Sequence, residues 1–462
     1  MKSFAEYQWP IRNPNHRPFD HQRETVEFLL RNRRAFVLSD IGTGKTLSVL
    51  WTTDFLFEME LIRKVLIIAP LSTLQVVWAK EIFTNFVHRR YAIAHGTREE
   101  SAKAIRSNVH YVIINHDGVK FRFDELEAEK FDVIVIDEST AFKTIGADRH
   151  KMLRKLTKNT RAVWAMTGAP TPNGPLEAFG QARIVCPDNP DLPKYFGQYR
   201  DIVMTQVAQY VWVPTIHAQA MVYKVLQPAI RHSRDECLSL PPVTSQFMEI
   251  PMTKEQKRLY DAVRDELYAE YDNGIITAVN AGVKLMKLLQ ISAGAVYDDN
   301  RLVCLCNADP KYDMIMQTFE ELGRTKLIVI AAFVHVVESL CQRMKDEGIR
   351  AACIYGDVSI KDRTKFINDF QDGDLQILVI QPQSVSHGIT LTAANTIVWE
   401  SYVSSGETHM QVNGRITRAG QTRKQLIQYL ICSRAEQLTV DRLIGKEERS
   451  DQVLELFRER ML

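Results

Sequence analysis

Short runs of Val, Ile and Leu recur along the chain, and segments of helical composition separate them. The runs are continuously apolar, as in parallel strands that are buried on both faces. In the first half they lie at 35–38, 65–68, 111–114, 133–136 and 162–166, and in the second half at 327–330, 352–354, 377–380, 396–399 and 426–429. The pattern predicts an α/β protein with two doubly wound lobes, each built on a parallel sheet.

Between the two series, at about 186–310, prolines become frequent and longer helical stretches occur, such as Lys254 to Tyr271. This change predicts a helical insertion and linker. The expected division is therefore an N-terminal lobe at 1–185, the insertion at 186–310 and a C-terminal lobe at 311–462.

A phosphate-binding loop is expected at 39–46, which read Ser-Asp-Ile-Gly-Thr-Gly-Lys-Thr. A strand ending at Leu38 precedes this loop, and an apolar stretch of helical length follows it. The loop's candidate nucleotide-binding residues are Gly42, Thr43, Gly44, Lys45 and Thr46. The glycines let backbone amides face the phosphates, the lysine neutralises the β and γ oxygens, and the Thr46 hydroxyl binds Mg²⁺. Ser39 replaces the first glycine of the strict pattern.

An acidic pair, Asp137 and Glu138, follows the fourth strand of the first lobe. This is the edge where ligands bind in parallel sheets, so we expect Asp137 to hold Mg²⁺ and Glu138 to deprotonate the attacking water. The alternative is a helix cap with a solvated neighbour. The hydroxyl of Thr167, after the fifth strand, is expected to touch this pair and report the nucleotide state, or else to belong to a simple turn.

Two arginines in the second lobe, Arg415 and Arg418, are three residues apart and are expected on one helical face. Arginines delivered to a phosphate site accelerate hydrolysis by roughly 10³–10⁵. We therefore expect both to reach the ATP site when the lobes close. The alternative is a solvated basic helix end.

The order of these motifs resembles the superfamily 2 helicase-like ATPases, and most closely their Swi/Snf-type branch, which translocates on double-stranded DNA. The matching segments are Phe19 to Gln22, Ala69 to Leu74 with Trp78, Thr167 to Asn173, Leu240 to Pro242, Met252 to Gln256, Tyr355 to Asp357 with Arg363, Ser386 to Thr392, and Gln411 to Gln421. The resemblance implies two RecA-like lobes that bind ATP and Mg²⁺ between them and duplex DNA across both.

The resemblance also assigns individual roles. It makes Gln22 the adenine-sensing glutamine, Gly388 a nucleotide-binding residue of the second lobe, and Gln411 a catalytic partner of the two arginines. The chain departs from the branch at Ser139 and Thr140, which stand where the branch usually has Ala and His.

The formal net charge is only +2, from 58 Lys and Arg against 56 Asp and Glu, which excludes a histone-like polycation. Basic residues nevertheless cluster at 143–162 and 412–424, and we expect these segments to contact the DNA backbone without sequence preference. A solvated basic face is the alternative. The seven cysteines form no disulfide framework, and no signal peptide or membrane span is evident. These features favour a reducing cytoplasm, and the lack of appended modules fits a bacterial or phage-infected cell.

The expected function is therefore an ATP-dependent double-stranded DNA translocase or remodelling motor. Two alternatives stay open. One is a strand-separating helicase on DNA or RNA, which shares every ATPase motif. The other is an ATP-gated DNA clamp or adaptor that hydrolyses ATP only to release its partner.

Overall fold

The computed structural model describes residues 4–11, 17–208, 211–237, 241–266, 268–271, 274–277, 281–297, 303–384, 390–418 and 420–459. The chain divides into two compact units, Met1–Ser239 with Glu448–Leu462, and Leu240–Glu447. Each unit is built around its own parallel sheet. Among the described residues, no helix combines the length and apolar character that crossing a membrane requires.

The first unit contains a seven-stranded sheet and a separate two-stranded ribbon. Its strands are β1 Arg34–Val37, β2 Val65–Ala69, β3 Tyr91–Ala94, β4 Tyr111–Asn115, β5 Val133–Asp137, β6 Ala162–Met166, β7 Met204–Ala208, β8 Val211–Pro214 and β9 Ala229–Ile230. The sheet order is β3-β4-β2-β5-β6-β1-β9, with every pair parallel. The ribbon pairs β7 with β8 in the antiparallel sense.

The helices of the first unit are α1 Asp20–Arg31, α2 Lys45–Glu58, α3 Lys80–Asn85, α4 Arg98–Arg106, α5 Gly118–Phe121, α6 Phe123–Ala128, α7 Asp148–Lys158, α8 Glu177–Val185, α9 Phe196–Val203, α10 Ala218–Val225 and α11 Arg234–Cys237. A π-helix spans Leu74–Ala79, and 3₁₀ turns span Phe4–Glu6, Leu71–Thr73 and Ser139–Phe142.

The second unit contains a six-stranded parallel sheet and two hairpins. Its strands are β10 Val243–Glu249, β11 Tyr268–Tyr271, β12 Gly274–Thr277, β13 Ala295–Tyr297, β14 Val303–Leu305, β15 Leu327–Ile330, β16 Ala351–Ile354, β17 Ile377–Ile380, β18 Thr396–Trp399 and β19 Gln425–Ile431. The sheet order is β10-β19-β18-β15-β17-β16.

Its helices are α12 Lys254–Glu266, α13 Ala281–Ser292, α14 Asp309–Glu321, α15 Val334–Asp346, α16 Ile360–Asp372, α17 Gly406–Asn413 and α18 Arg434–Glu459, with a 3₁₀ turn at Pro382–Ser384. The first unit includes α18 from Glu448 onward.

The continuous apolar runs are explained by burial on both faces of each sheet. In β2, Leu66 and Ile68 enter one hydrophobic cluster while Val65 and Ile67 enter another. The same division occurs in β17 of the second unit. Because helices cover both faces, every position in such a strand is apolar. The predicted α/β class with two doubly wound parallel-sheet lobes is confirmed.

The region at 186–310 is more varied than its composition indicated. It holds α9 to α13, but also strands β7 to β14. The helix expected from Lys254 to Tyr271 ends at Glu266, and the residues from Tyr268 to Tyr271 pair with β12 instead. The boundary between the compact units lies inside this region, between Ser239 and Leu240. Treating 186–310 as a separate functional part stays a prediction.

Candidate active site

The loop between β1 and α2 has the shape of a phosphate cradle. Gly42 and Gly44 adopt positive φ angles of 91° and 80°, a conformation that residues with a Cβ rarely take. A Cβ at Gly44 would also lie 2.0 Å from Nε2 of Gln22. Helix α2 begins directly after Gly44 at Lys45, with Thr46 in its first turn. Its free backbone amides make this end suited to phosphate.

The amino group of Lys45 lies over this loop. It donates hydrogen bonds to the carbonyl oxygens of Ser39, at 2.7 Å, and Asp40, at 3.0 Å. The hydroxyl of Thr43 donates to the Asp40 carbonyl at 2.9 Å. The lysine is thus held where a bound phosphate would need its charge.

Gln22 lies against the same loop, at the start of α1. Its side chain is buried, and its Oε1 accepts a hydrogen bond from the backbone N–H of Phe19 at 3.0 Å. The ring of His21 contacts the carbonyl of Thr43 at 2.8 Å. Phe19 is 54% exposed and stacks on His21, with ring centroids 5.5 Å apart. Gln22 therefore lies beside the phosphate loop, and its adenine-sensing role stays a prediction.

Asp137 and Glu138 emerge at the carboxyl end of β5. Trp78 donates its Nε1–H to Oδ2 of Asp137 at 2.9 Å, and the backbone N–H of Glu138 donates to Oδ1 at 3.1 Å. Burial raises the pKa of Asp137, while the Trp78 hydrogen bond, the positive charge of Lys45 and the Glu138 hydrogen bond act in the opposite direction. The electrostatic influence of Lys45 on this carboxylate indicates that the end of β5 lies near the phosphate loop, and their service in one nucleotide site stays a prediction.

Glu138 has an unusual backbone, with φ 50° and ψ 62°. A residue other than glycine in this left-handed region is strained, and such strain concentrates at functional sites. The hydroxyl of Thr167 donates to Oε2 of Glu138 at 3.4 Å. The contact expected between Thr167 and the acidic pair is therefore confirmed, and its role in reporting the nucleotide state stays a prediction.

A buried polar bridge behind this pair was missed by sequence reasoning. Ser139 donates its hydroxyl to Oε1 of Gln181 at 2.7 Å, and Nε2 of Gln181 donates to the carbonyl of Pro170 at 2.6 Å. The side chains of Ser139 and Gln181 are buried. The bridge joins the acidic segment to the turn after β6 through α8. The only sequence signal was the unusual Ser-Thr after Asp-Glu.

The arginine segment of the second unit differs from expectation in one respect. Helix α17 ends at Asn413 and Gly414 is its C-cap, so Arg415 and Arg418 lie beyond the helix and do not share a helical face. Glycine is a weak helix former because of its backbone entropy, which helps α17 to end there. Arg415 is buried, and Arg418 donates to the hydroxyl of Thr390 at 3.0 Å.

Gln411 is also buried and lies within α17. Gly388 lies outside the described residues. The cooperation of Gln411, Gly388 and the two arginines with the phosphate loop stays a prediction.

A second network missed from sequence holds α17 to the sheet. Nε2 of His409 lies 2.9 Å from the hydroxyl of Tyr429. Trp399 donates its indole N–H to Oδ1 of Asn413 at 2.9 Å. All four side chains are buried, so the residue just before Gly414 is positioned by β18 and β19. The four residues are spread over 31 positions of the chain without a recognisable motif, so the sequence alone does not indicate this packing.

The basic segment at 143–162 is only partly available for a polyanion. Lys143 pairs with Glu177 and Arg149 pairs with Asp117. The exposed basic residues of α7 are Lys151, Arg154, Lys155 and Lys158. In the second basic segment, 412–424, the burial of Arg415 reduces the exposed charge. The α7 patch, defined as these four residues, is the clearer candidate for contact with DNA.

Comparison with known proteins gives consistent matches. The profile of the SNF2-related domain matches residues 21–295, and the profile of the helicase conserved C-terminal domain matches residues 310–420. Protein p41 of Acyrthosiphon pisum secondary endosymbiont phage 1 is 24% identical over 476 residues, covering 96% of this chain and 98% of that protein. DNA annealing helicase and endonuclease ZRANB3 of Homo sapiens is 24% identical, covering 93% of this chain but 40% of that protein.

Among solved structures, the Sulfolobus solfataricus SWI2/SNF2 ATPase core in complex with dsDNA aligns with a TM-score of 0.47 and 19% identity, covering 98% of this chain and 97% of that one. The chain spans about two fifths of the length of ZRANB3. Because the SNF2-related profile alone matches more than half of the residues, the chain belongs to the SNF2-related domain family.

Proposed function

We propose that this chain is a DNA-dependent ATPase that works as a double-stranded DNA translocase or remodelling motor. The observation that carries the proposal is that Lys45 of the phosphate loop acts electrostatically on Asp137, next to Glu138, in a chain of the SNF2-related family. The names of its relatives, which include an annealing helicase and a SWI/SNF-related protein, support DNA as the track. The full-length match to a phage protein supports a bacterial or phage-infected cytoplasm as its place of action.

In this proposal ATP binds at the loop 39–46. The amides of Gly42 to Gly44 and the amino group of Lys45 bind the phosphates, and Gln22 contacts the adenine. Thr46 and Asp137 supply the oxygen ligands that Mg²⁺ prefers, and the ion would neutralise charge on the phosphates. Glu138 accepts a proton from the attacking water, and Thr167 orients its carboxylate at 3.4 Å.

The second unit supplies the positive charge that stabilises the transition state. Arg415 and Arg418 reach the γ-phosphate when the units close on ATP, and Gln411 and Gly388 complete the nucleotide site. Hydrolysis removes the γ-phosphate that holds the closed state, so the cleft reopens after each turnover. One cycle of closing and opening moves the protein along the DNA backbone.

Duplex DNA contacts the first unit at the α7 patch and at the turn Leu71–Thr73, the latter by resemblance to the DNA-contacting segment of the branch. Charge on α7 supports backbone contact, because Arg154 and Lys158 are exposed on a helix whose acid, Asp148, pairs with Lys120 and Lys151. We expect that replacing Arg154 and Lys158 with Gln weakens DNA binding equally for all sequences and reduces the salt dependence of the affinity by about two phosphate contacts. Unchanged salt dependence in fluorescence anisotropy titrations would remove α7 from the interface.

The test of the proposed function is ATP turnover without polymer and with single-stranded DNA, duplex DNA or RNA, beside displacement of a triplex-forming strand. The proposal expects the largest stimulation by duplex DNA together with triplex displacement. Equal turnover under all four conditions, or stimulation by RNA alone, would refute it. ATP-dependent retention on DNA without displacement would support the clamp or adaptor alternative.

The role of Glu138 is tested separately with Glu138→Gln. We expect this variant to bind ATP normally and to lose turnover, because the amide cannot accept the proton from water. Glu127→Gln, at an exposed position of α6, is the matched control and is expected to retain turnover. Binding of a fluorescent ATP analogue and phosphate release measure the two properties. Turnover in Glu138→Gln at the rate of the control would remove Glu138 as the base.

A strand-separating helicase is the second candidate, and the ribbon β7 and β8 favours it. Val207, Val211 and Val213 are exposed on this ribbon, at 58%, 48% and 37%. An apolar two-stranded element that stands in solvent has the shape of a strand-separating pin, and apolar side chains can wedge between bases. This function would be supported if the wild type unwinds a forked duplex and the double variant Val207→Ser, Val211→Ser does not. No unwinding by the wild type would refute it.

A further inference from the structure

The chain leaves the first unit along the phosphate loop. Strand β9 lies beside β1 at the edge of the sheet. The exit segment, defined as residues 231–237, follows β9 directly, and the second unit begins at Leu240. The segment that leads toward the second unit therefore starts at the C-terminal edge of the sheet, where the nucleotide site also lies.

The exit segment is bonded to the first two residues of the loop. Nη1 of Arg231 donates to Oδ1 of Asp40 at 2.7 Å, and the backbone N–H of Arg234 donates to Oδ2 of Asp40 at 2.9 Å. The backbone N–H of Asp40 donates to the carbonyl of His232 at 3.1 Å, and the backbone N–H of His232 donates to the hydroxyl of Ser39 at 3.0 Å. Four hydrogen bonds thus join two residues of the loop to three of the segment.

The ion pair in this set is shielded from water. The side chain of Arg231 is 4% exposed and that of Asp40 is 27% exposed. A pair at this depth is screened less than a surface pair, and removing one partner leaves a buried charge without its counterion. The geometry of the exit segment therefore depends on where the loop holds Asp40.

The same two loop residues are also hydrogen-bonded to Lys45. The carbonyl oxygens of Ser39 and Asp40 accept the hydrogen bonds of the lysine amino group. A bound phosphate competes for these donors, because a charged oxygen is the stronger acceptor. When the lysine turns to a phosphate, Ser39 and Asp40 lose a charged partner on their backbone while their side chains still hold the exit segment.

We propose that the ion pair between Asp40 and Arg231 carries the nucleotide state of the phosphate loop into the exit segment, and so to the start of the second unit. Arg231 acts as a positioning residue in this relay. The inference rests on the proposed function only in requiring that the loop binds ATP. It names a path from the loop to the moving unit that is separate from the contact between Thr167 and Glu138.

The test is hydrogen exchange of the exit segment, measured with and without ADP and a non-hydrolysable ATP analogue. We expect nucleotide to change the exchange rates in 231–237 by at least about threefold in the wild type. Arg231→Gln is expected to bind a fluorescent ADP within about threefold of the wild-type affinity but to lose this change. Its KM for ATP is expected to stay within about threefold, while DNA-stimulated kcat falls about tenfold.

Two further variants make the result decisive. Asp40→Asn removes the charge from the other side and is expected to lose the exchange response as well, which covers the case that Arg231→Gln does not fold. Arg63→Gln replaces an exposed arginine of the same unit and is expected to keep the wild-type response.

Three results would overturn the relay. The first is a nucleotide response of 231–237 that persists in both ion-pair variants. The second is wild-type protein whose loop 39–46 responds to nucleotide while the exit segment does not. The third is loss of the response in Arg63→Gln as well. Failure of the wild type to bind nucleotide would overturn the proposed function, and with it the relay.

Discussion

Removing the hydroxyl of Ser139 should destabilise the first unit although it removes only one oxygen atom. The hydroxyl donates to Gln181 at 2.7 Å, and the two side chains are 2% and 1% exposed. In Ser139→Ala the Gln181 oxygen stays buried without this donor. Leaving a buried polar atom unsatisfied costs about 1–3 kcal/mol, more than the net contribution of an ordinary hydrogen bond. We expect a loss in the free energy of unfolding within that range.

This cost in stability should depend on Gln181. Gln181→Leu removes the oxygen acceptor and also withdraws the donor from the carbonyl of Pro170, at 2.6 Å. In the Gln181→Leu background there is no glutamine oxygen, so deleting the Ser139 hydroxyl no longer leaves a buried acceptor unsatisfied. The double variant should therefore be more stable than the sum of the single effects indicates, by about 1–2 kcal/mol, in the range known for directly bonded pairs.

Urea unfolding followed by tryptophan fluorescence measures the effect in the correct unit, because every tryptophan except Trp399 lies in the first unit. Ser72→Ala, at an exposed serine, is the control and is expected to change the free energy of unfolding by less than about 0.5 kcal/mol. If the effects of Ser139→Ala and Gln181→Leu add to within about 0.5 kcal/mol, the bridge contributes no coupling and the reasoning is wrong.

Two further predictions concern packing and buried charge. Gly180→Ala should destabilise the first unit by about 1–3 kcal/mol, because its Cβ would lie 2.1 Å from the carbonyl oxygen of Lys143. A Cβ at Gly197 would meet no atom within 4 Å, so Gly197→Ala should be neutral or slightly stabilising in thermal unfolding. Burial raises the pKa of Glu400 to about 6 from 4.5, so the second unit should gain stability as the pH falls from about 6 to 4.5. Glu400→Gln should remove that part of the pH dependence, and an unchanged slope between wild type and variant in calorimetry would contradict it.

The strands that sequence predicted share one property, which is that nearly all of their residues are buried. The runs at 65–68 and 377–380 correspond to β2 and β17, whose residues are all buried. The strands that sequence missed lie at sheet edges. β10 is almost wholly exposed and mixes polar with apolar residues, and β9 has two residues. An edge strand has few neighbours to impose an apolar pattern, so its position follows from the partner strand and not from its own composition.

The candidate nucleotide site shows the same distinction. A phosphate loop is recognisable because glycine, lysine and threonine must stand at fixed spacing between a strand and a helix. The contact between Thr167 and Glu138 was also accessible, because neighbouring parallel strands end at one edge. The arrangement of Arg415 and Arg418 was not, since a spacing of three indicates a shared face only while the helix continues, and α17 ends at Asn413.

By itself, the sequence determined two parallel-sheet lobes, the loop 39–46 and the acidic pair, because each depends on local order along the chain. Only the tertiary structure decided that Gln181 bridges Ser139 to Pro170 and that Asp40 holds Arg231. The two members of the ion pair are separated by 191 positions in sequence. A polar residue carries no record of its partner until packing removes water and obliges every buried donor and acceptor to find one.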